Sequence, residues 1–228
     1  MAKVISLQEA AALIPDGATV MIGGFMGCGN PHKFIQELVK TGVKHLTLIC
    51  DDAALPIGPG GEEYYGVAKL IHAGMADRLI TTHVGKNPEV SKLHDEGKLT
   101  VDFIPQGSFA EMLRAGGSGL GGVLTPTGVG TAVEDSPFTH SKLNIDGRDY
   151  LLMRPLHAQF AVLSGYYVDK CGNIWYKGTT RNFQPLMATA ADTVIVEADN
   201  LVEPGKILPE NVMTPGMLVD YIVLGGAQ

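Results

Sequence analysis

The stretch Thr19–Leu38, TVMIGGFMGCGNPHKFIQEL, joins an apolar run to a glycine-rich segment and then to a helical pattern. Residues 18–22 have the length and composition of a buried strand. Pro31 suits the first turn of a helix, where its missing N–H costs nothing. The apolar residues that follow at helical spacing share one face: Phe34, Ile35, Leu38 and Val39. The stretch therefore predicts a strand, a glycine loop and a helix in succession.

The same alternation continues on both sides of this stretch. Upstream, Ser6 and Glu9 have capping-box spacing and predict a helix from position 7 to about position 14. Downstream, strand patterns lie at 45–50, 78–84 and 100–105, and helical patterns at 64–73, 88–96 and 108–115. Strands that alternate with helices predict an α/β fold, with a mainly parallel twisted sheet and helices on both faces.

The second half of the chain changes character. Residues 116–130, GGSGLGGVLTPTGVG, predict a flexible, turn-rich segment, and residues 142–153 predict a small β-hairpin around Asp146-Gly147. Later patterns are strands at 159–164 and 192–198 and a helix at 184–191. The last forty residues contain three prolines and are expected to wrap the surface. Since no linker divides the chain, we expect residues 1–228 to form a single domain.

Composition narrows the class of function. The 228 residues are 45% apolar and 18% charged, which is typical of a soluble globular protein. A formal net charge of −7 disfavours nucleic acid as a partner. Cys28, Cys50 and Cys171 form no CxxC motif, which favours a reduced, cytoplasmic setting. No apolar run approaches the ~18 residues of a membrane span, and no signal-peptide pattern opens the chain, so we expect no membrane association.

The glycine loop allows two interpretations. Glycines permit positive φ and close approach of a ligand, and a helix N-terminus offers free N–H groups to an anion such as phosphate. Alternatively, the glycines only permit a tight turn between strand and helix. The order Gly24-x-x-Gly27-x-Gly29 is not the GxGxxG of dinucleotide-binding folds, although Asp51 and Asp52 end the next strand, where a ribose-binding acid would lie. If a ligand binds, a side chain at Gly24 would occupy space that it needs.

Signatures of nucleophilic or metal-dependent catalysis are missing from the sequence. There is no GxSxG elbow, no HExxH and no Walker A motif. The seven histidines form no short-spaced ligand pair, so we predict no metal site. His83 is the best placed of them, at the end of a predicted strand, and a structural role is its simpler interpretation. The cysteines are best interpreted as small core residues, although Cys28 lies in the glycine loop and keeps a reactive alternative.

Three long segments carry a resemblance to a known family. Residues 16–31, DGATVMIGGFMGCGNP, meet every fixed position of the signature of family I (3-oxoacid type) coenzyme A transferases, alpha subunit. The resemblance continues at 105–131 and at 176–203, so it spans nearly the whole chain. Within the family, the chain is most similar to the alpha subunits of acetate or butyrate–acetoacetate CoA-transferases.

The resemblance implies a half-enzyme. In this family a glutamate attacks the acyl-CoA, a glutamyl-CoA thioester forms, and a second carboxylate takes the CoA. That glutamate belongs to the beta subunit, in an ExGxxG context, and none of the eleven glutamates of this chain has that spacing. The resemblance thus implies no catalytic residue in this chain, an alpha-2-beta-2 assembly with a beta subunit, and no metal or redox cofactor. Its substrates would be CoA thioesters and acetate, butyrate or acetoacetate.

The resemblance also implies positions for the site. It places the glycine loop against CoA: Gly23, Gly24, Phe25, Met26, Gly27, Cys28 and Gly29. Asp52 matches the family's Ser-Asn-Asp or Ser-Asn-Asn segment, whereas Asp51 departs from the usual Asn and leaves an amide donor role there open. Gln106, in PQG, is able to donate a hydrogen bond to a substrate carboxylate or an oxyanion, or simply to fix its loop.

Two alternatives stay open. Residues 116–130 either shape the active site as a mobile segment or pack against the partner subunit, and we favour the second. The chain could instead be a nucleotide- or phosphosugar-binding α/β domain that shares only the glycine loop. An isomerase of that kind would need its own acid and base, for which Asp51 and Asp52 are the candidates.

Overall fold

Strands and helices alternate along residues 2–225, the part of the chain that the computed structural model describes. The helices are α1 (Leu7–Ala11), α2 (His32–Thr41), α3 (Ala68–His72), α4 (Pro88–Asp95), α5 (Gln106–Gly117) and α6 (Gln184–Thr189). The strands are β1 (Lys3–Val4), β2 (Thr19–Ile22), β3 (Leu46–Ile49), β4 (Leu55–Ile57), β5 (Glu63–Tyr65), β6 (Ala76–Thr81), β7 (Thr100–Phe103), β8 (Val123–Thr125), β9 (Thr139–Ile145), β10 (Arg148–Met153), β11 (Ala158–Asp169), β12 (Ile174–Trp175), β13 (Ala191–Val202) and β14 (Tyr221–Leu224). Short 3₁₀ turns lie at Ala132–Asp135, Gly178–Arg181, Pro209–Asn211 and Gly216–Leu218.

The main sheet has the strand order β1-β14-β13-β11-β2-β3-β6-β7, with the short β12 paired to β11. Its pairs are parallel except for β11 with β12. This arrangement confirms the predicted α/β fold. The prediction that the last forty residues wrap the surface is wrong for β14, which pairs with β13 inside the sheet.

Both faces of the sheet are covered, as predicted. Successive strand residues point to opposite faces, so Val20 joins one core with Phe34, while Met21 joins another core with Phe109. Helices α1 to α4 contribute to the first core. Helices α5 and α6, together with β10, contribute to the second.

The predicted hairpin is present, with a third strand beside it. Strands β9 and β10 pair antiparallel around Asp146 and Gly147, whose φ values of 50° and 81° suit a tight hairpin turn. Strand β8 pairs with the other side of β10. Val123–Thr125 therefore form a strand within the segment that was expected to be flexible throughout.

The helix predicted at 64–73 begins only at Ala68. Residues Glu63–Tyr65 form β5, which pairs antiparallel with β4. Gly66 has a φ of 57°, and a Cβ there would overlap Asn30 Oδ1. The chain bends at Gly66 because the side chain of Asn30, at the end of the glycine loop, passes against it.

The order of the strands reverses beside β2. The chain builds outward from β2 through β3, β6 and β7, and then returns to β11 on the other side and continues to β13 and β14. In open α/β sheets, ligands bind in the crevice outside the carboxyl ends of the strands at such a switch point. The loop that leaves β2 here is the glycine loop, residues 23–30.

Candidate functional site

The glycine loop is folded tightly on itself between β2 and α2. Phe25 and Cys28 exchange both of their backbone hydrogen bonds, at 3.0 and 2.8 Å. Between them, Met26 and Gly27 have φ values of 51° and 81°. Two successive positive φ values define the mirror-image turns that glycine favours, so the loop needs its Gly27 for conformational reasons alone.

Side chains from several elements hold the carbonyl groups of the loop. The contacts are Asn30 Nδ2 to Gly23 O at 2.5 Å, His32 Nε2 to Gly27 O at 3.0 Å, Asn182 Nδ2 to Cys28 O at 3.1 Å, and Gln184 Nε2 to Gly29 O at 3.0 Å. A Cβ at Gly23 would overlap Gln184, and one at Gly24 would overlap Asn30. Glycines therefore allow these side chains to approach the backbone, as the tight-turn interpretation requires.

Some N–H groups of the loop have no acceptor within the described chain. Within residues 2–225, the amides of Gly24, Gly27 and Gly29 donate to no other residue. Gly24 and Gly27 are buried, whereas Gly29 is half-buried and lines the cavity described below. Glycine amides in a fixed loop at a switch point are suited to an oxygen atom of a ligand. The packing role of the glycines thus leaves room for a role in binding.

Asp52 ties the loop to the end of β3. Its Oδ2 accepts the N–H of Met26 at 2.6 Å, and its Oδ1 accepts the N–H of Ala54 at 2.5 Å. Burial raises the pKa of this carboxyl, and the two backbone hydrogen bonds act in the opposite direction. The structure brings Asp52 and the glycine loop together, as the resemblance implies, with both carboxyl oxygens engaged by this chain.

Asp51 and Gln106 meet at the same edge of the sheet. Asp51 is fully buried, and its Oδ1 and Oδ2 lie 2.8 and 3.1 Å from Nε2 of Gln106, the first residue of α5. Thr82 Oγ1 also donates to Asp51, at 3.2 Å to Oδ1. Burial raises the pKa of Asp51, and the bond from Gln106 opposes that shift. The amide of Gln106 is thus oriented by Asp51, with its nitrogen turned towards the carboxylate.

His83 lies beside both aspartates. It forms an isolated parallel bridge with Asp52, and its charge acts to lower the pKa of Asp51 and Asp52. The structure therefore gives His83 a place at the site edge, in addition to the structural role expected from the sequence.

Swapping the carboxylate and the amide between positions 51 and 106 tests the contact between these two side chains. Gln106→Glu alone is expected to lower the free energy of unfolding by about 1 kcal/mol or more, because two carboxylates would then face each other. Adding Asp51→Asn is expected to restore most of that loss, since the asparagine amide then donates to the glutamate. The four proteins are compared by thermal unfolding at pH 8, and strictly additive effects would show that the two side chains do not interact.

A cavity of about 480 Å³ lies on the β11 and β13 side of the loop. The loop residues Met26, Cys28 and Gly29 form part of its wall, and Tyr65 and Tyr166 add aromatic surface. Its other lining residues are Asn30, His32, Pro59, Ser164, Lys177, Thr180, Glu197, Asp199 and Asn200. Most of the lining residues are thus polar or charged, with a smaller apolar and aromatic set.

Glu197 at this cavity was missed by the sequence analysis. It is 3% exposed, and its carboxylate accepts the N–H groups of Lys33 at 3.3 Å and Phe34 at 2.6 Å, in the first turn of α2. The expectation that the N–H groups of this helix are free for an anion is therefore wrong for these two. A signal existed, because a lone carboxylate interrupts the apolar run VIVEA of a strand predicted to be buried.

Gln184 and Cys28 complete the surroundings of the loop. Gln184 is fully buried; its Oε1 accepts the N–H of Ser164 at 2.8 Å, and its Nε2 also donates to Thr180 O at 2.9 Å. Its position beside a proline at a predicted helix start gave no sign of this role. Cys28 is half-buried, with Sγ 3.6 Å from Thr179 Oγ1, and its reactivity stays a prediction.

A parallel sheet with a fixed glycine loop and a polar cavity at its switch point defines an α/β ligand-binding protein. The chain matches the Coenzyme A transferase family over residues 4–225, and it belongs to that family. It is 46% identical over 221 residues, 97% of either chain, to the acetoacetyl-CoA:acetate/butyrate CoA transferase alpha subunit of Clostridium acetobutylicum. It is 42% identical to the acetate CoA-transferase subunit alpha of Escherichia coli, over 97% of this chain and 96% of that one.

A solved structure shows the same fold. An acyl-CoA transferase from Escherichia coli O157:H7, in a thioester complex with CoA, aligns with a TM-score of 0.85 at 21% identity. The alignment covers 98% of this chain and 47% of that one, so this chain spans about half the length of the solved protein. The predicted family and fold are confirmed by these comparisons.

Two other kinds of site are missing from the described residues. None of the helices within residues 2–225 is long and apolar enough to cross a membrane. The same residues contain no cluster of three or more His, Cys, Asp or Glu side chains arranged to hold a metal ion.

Proposed function

We propose that this chain is the alpha subunit of a two-chain CoA-transferase, which exchanges CoA between a short-chain acyl-CoA and a free carboxylate such as acetate, butyrate or acetoacetate. The observation that carries the proposal is the 46% identity, over 97% of both chains, to an alpha subunit named for that exchange. Its relatives are named as alpha or A subunits, which supports a beta-subunit partner. The proposed assembly is alpha-2-beta-2.

The nucleophile of the proposed reaction is a glutamate of the beta subunit. The state of the carboxylates at the site of this chain supports that assignment. Asp51, Asp52 and Glu197 are all buried, and each accepts hydrogen bonds from this chain. A carboxylate that is held in this way is poorly placed to leave its donors and attack a thioester carbonyl, which requires approach to within about 3–3.5 Å.

The glycine loop is proposed to receive the CoA thioester. The amide of Gly29, in the cavity wall, has no acceptor within residues 2–225 and offers a donor to a carbonyl or phosphate oxygen, and Met26, Tyr65 and Tyr166 offer apolar surface in the same cavity. Phe25 is 44% exposed on the loop, where it is able to contact the bound arm of CoA. At the neighbouring strand end, the amide nitrogen of Gln106 already donates to Asp51, which supports the loop-fixing role rather than the orientation of a substrate carboxylate or the stabilisation of an oxyanion.

The proposal needs no further cofactor. Exchange of CoA between carboxylates changes no oxidation state, and a covalent intermediate on a glutamate divides it into two easier steps. The setting is proposed to be cytoplasmic, which the three free cysteines support. We also propose that the chain forms a single domain, because β1 and β14, near its two ends, pair in one sheet.

The alternative of a nucleotide- or phosphosugar-binding domain has less support. Membership in the Coenzyme A transferase family removes the need to explain the glycine loop by nucleotides. The proposed acid/base pair is also unsuited to that task, because both oxygens of Asp52 accept backbone N–H groups.

Transfer assays with separate subunits test the proposal. Transfer of CoA from acetoacetyl-CoA to acetate is measured with this chain alone, with the beta chain alone, and with both. Activity is expected only with both chains, and it is expected to disappear when the ExGxxG glutamate of the beta chain is replaced by glutamine. Robust transfer by this chain alone would contradict the proposal. An assembled complex inactive towards acetate, butyrate and acetoacetate would contradict the substrate assignment.

A further inference from the structure

Helix α2 begins without a local cap. Its N-cap residue is Pro31, whose side chain accepts no hydrogen bond from the first turn. The first N–H groups of a helix have no intrahelical partner and require an acceptor. Here the acceptor comes from β13, since Glu197 bonds to Lys33 and to Phe34, 163 residues earlier in the chain. Glu197 is therefore a long-range cap of α2.

This cap lies directly under the glycine loop. Asn30 ends the loop, and only Pro31 separates it from the first residue of α2. The position of the first turn of α2 thus determines where the loop ends. Gly225 lies on the other side of Glu197, since a Cβ there would be 2.8 Å from its Oε1.

We propose that Glu197 is a positioning residue for CoA transfer, whose ionised carboxylate holds the first turn of α2 and thereby fixes the glycine loop against the thioester. This inference rests on the proposed role of the loop in binding CoA. An ionised carboxylate accepts both N–H groups with charged oxygens, whereas protonation removes the charge and turns one oxygen into a hydroxyl, which is a weaker acceptor. Protonation of Glu197 would release part of the cap.

The surroundings place this protonation in the neutral range. Burial raises the pKa of Glu197 to about 7, with the charge of Asp199 acting in the same direction and Lys33 and the two backbone bonds opposing it. Other titratable groups that line the same cavity are His32 on α2, Cys28 in the loop, Tyr65 on β5 and Lys177 before the 3₁₀ turn. Burial lowers the pKa of His32, and its hydrogen bond with Gly27 and the charge of Glu62 oppose that shift.

Ionisation of Glu197 as the pH rises is expected to raise transfer activity but to lower the contribution of this residue to the free energy of unfolding. The cap is complete above about pH 7, so transfer activity should rise as the pH rises through that value. The folded protein binds this proton more tightly than an unfolded chain, in which the pKa is near 4.5. The contribution of Glu197 to the free energy of unfolding therefore falls between about pH 4.5 and 7 and is level above it.

The test uses Glu197→Gln in the complex reconstituted with the beta chain. Glutamine keeps the length of the side chain but offers one acceptor and a competing donor to the two N–H groups. We expect kcat/KM for acetoacetyl-CoA to fall about tenfold to a hundredfold at pH 8, and the rise of wild-type kcat/KM through about pH 7 to disappear. Asp192→Asn, which removes an exposed charge from the same strand, serves as the matched control and should keep the wild-type profile.

The outcomes distinguish a role of Glu197 in positioning the loop for transfer from a role in folding stability alone. If Glu197→Gln lowers only the unfolding temperature and keeps the wild-type kcat/KM and pH profile, the proposal is overturned. If Gly24→Val abolishes transfer while Glu197→Gln does not affect it, the loop keeps its role and the cap proposal alone fails. If neither variant affects transfer, both fail.

A measurement on the wild-type complex covers the case in which Glu197→Gln does not fold. Hydrogen exchange of residues 32–36 is followed from pH 6 to 8, corrected for intrinsic exchange rates, with residues 112–115 in the later part of α5 as internal reference. Protection of residues 32–36 is expected to increase over this range relative to the reference. Equal behaviour of the two segments would overturn the proposal.

Discussion

Gly24→Val is expected to reduce kcat/KM for CoA transfer by the reconstituted enzyme about a hundredfold or more, since small displacements at a binding loop have effects of that size. A Cβ at Gly24 would overlap Nδ2 of Asn30, and φ at this position is 127°. Asn30 holds both Gly23 O and the N–H of Val67, so it cannot move without releasing the loop. The sequence predicts that a side chain at position 24 would take space from the ligand. In the structure it would instead collide with Asn30, which holds the loop.

Gly42→Val is the matched control. Gly42 also has a positive φ, 71°, but a Cβ there meets nothing within 4 Å. The variant should lose stability by about 1–2 kcal/mol from backbone strain and should keep its kcat/KM. A folded Gly24→Val enzyme with wild-type kcat/KM would contradict the role of the glycine loop.

Gln184→Ala is expected to lower the free energy of unfolding by about 3 kcal/mol, which for a chain of this size is about 6–12 °C in the unfolding temperature. The side chain is fully buried and bonds to Ser164 N, Gly29 O and Thr180 O. Its removal leaves three half-buried backbone groups without their partner, at about 1 kcal/mol each. Thermal unfolding of the complex, followed by calorimetry, measures the shift.

Gln159→Ala is the control, because Gln159 is exposed and also bonds a backbone group through its side-chain amide. Oε1 of Gln159 accepts a single bond from Thr19 N, at 2.9 Å. Because water replaces that bond, the expected loss is about 1 kcal/mol or less, which lowers the unfolding temperature by at most about 2–4 °C. Equal shifts for the two variants would show that Gln184 is not the buried support described here.

The sequence predicted the parts of the fold that depend on local pattern. Strand β2 and helix α2 follow from an apolar run and a helical face within one stretch. Strand β14 was missed because four residues among prolines carry too little periodicity, and their pairing with β13 is non-local. The helix at 64–73 was placed too early because its apolar spacing continues through Gly66, where contact with Asn30 prevents a helix.

The residues of the candidate site also fall into two groups, those that the sequence indicates and those that only the structure shows. The glycine loop is visible in the sequence, whereas Asp52 and Gln106 are singled out by the family resemblance and the structure then places both at one edge of the sheet. Glu197 and Gln184 could not be placed, since each acts on residues more than 150 positions away. The expectation that the first N–H groups of α2 are free is wrong for the same reason, because Glu197, which accepts two of them, comes from the distant strand β13.

The location of the covalent intermediate tests the central claim most directly. The reconstituted complex is mixed with acetoacetyl-CoA without an acceptor acid, and the intact mass of each chain is recorded. We expect the mass of a CoA thioester, with loss of water, on the beta chain and none on this chain. Addition of acetate should remove that mass as acetyl-CoA forms. A CoA adduct on this chain would contradict the account of a half-enzyme that holds the substrate for a glutamate of its partner.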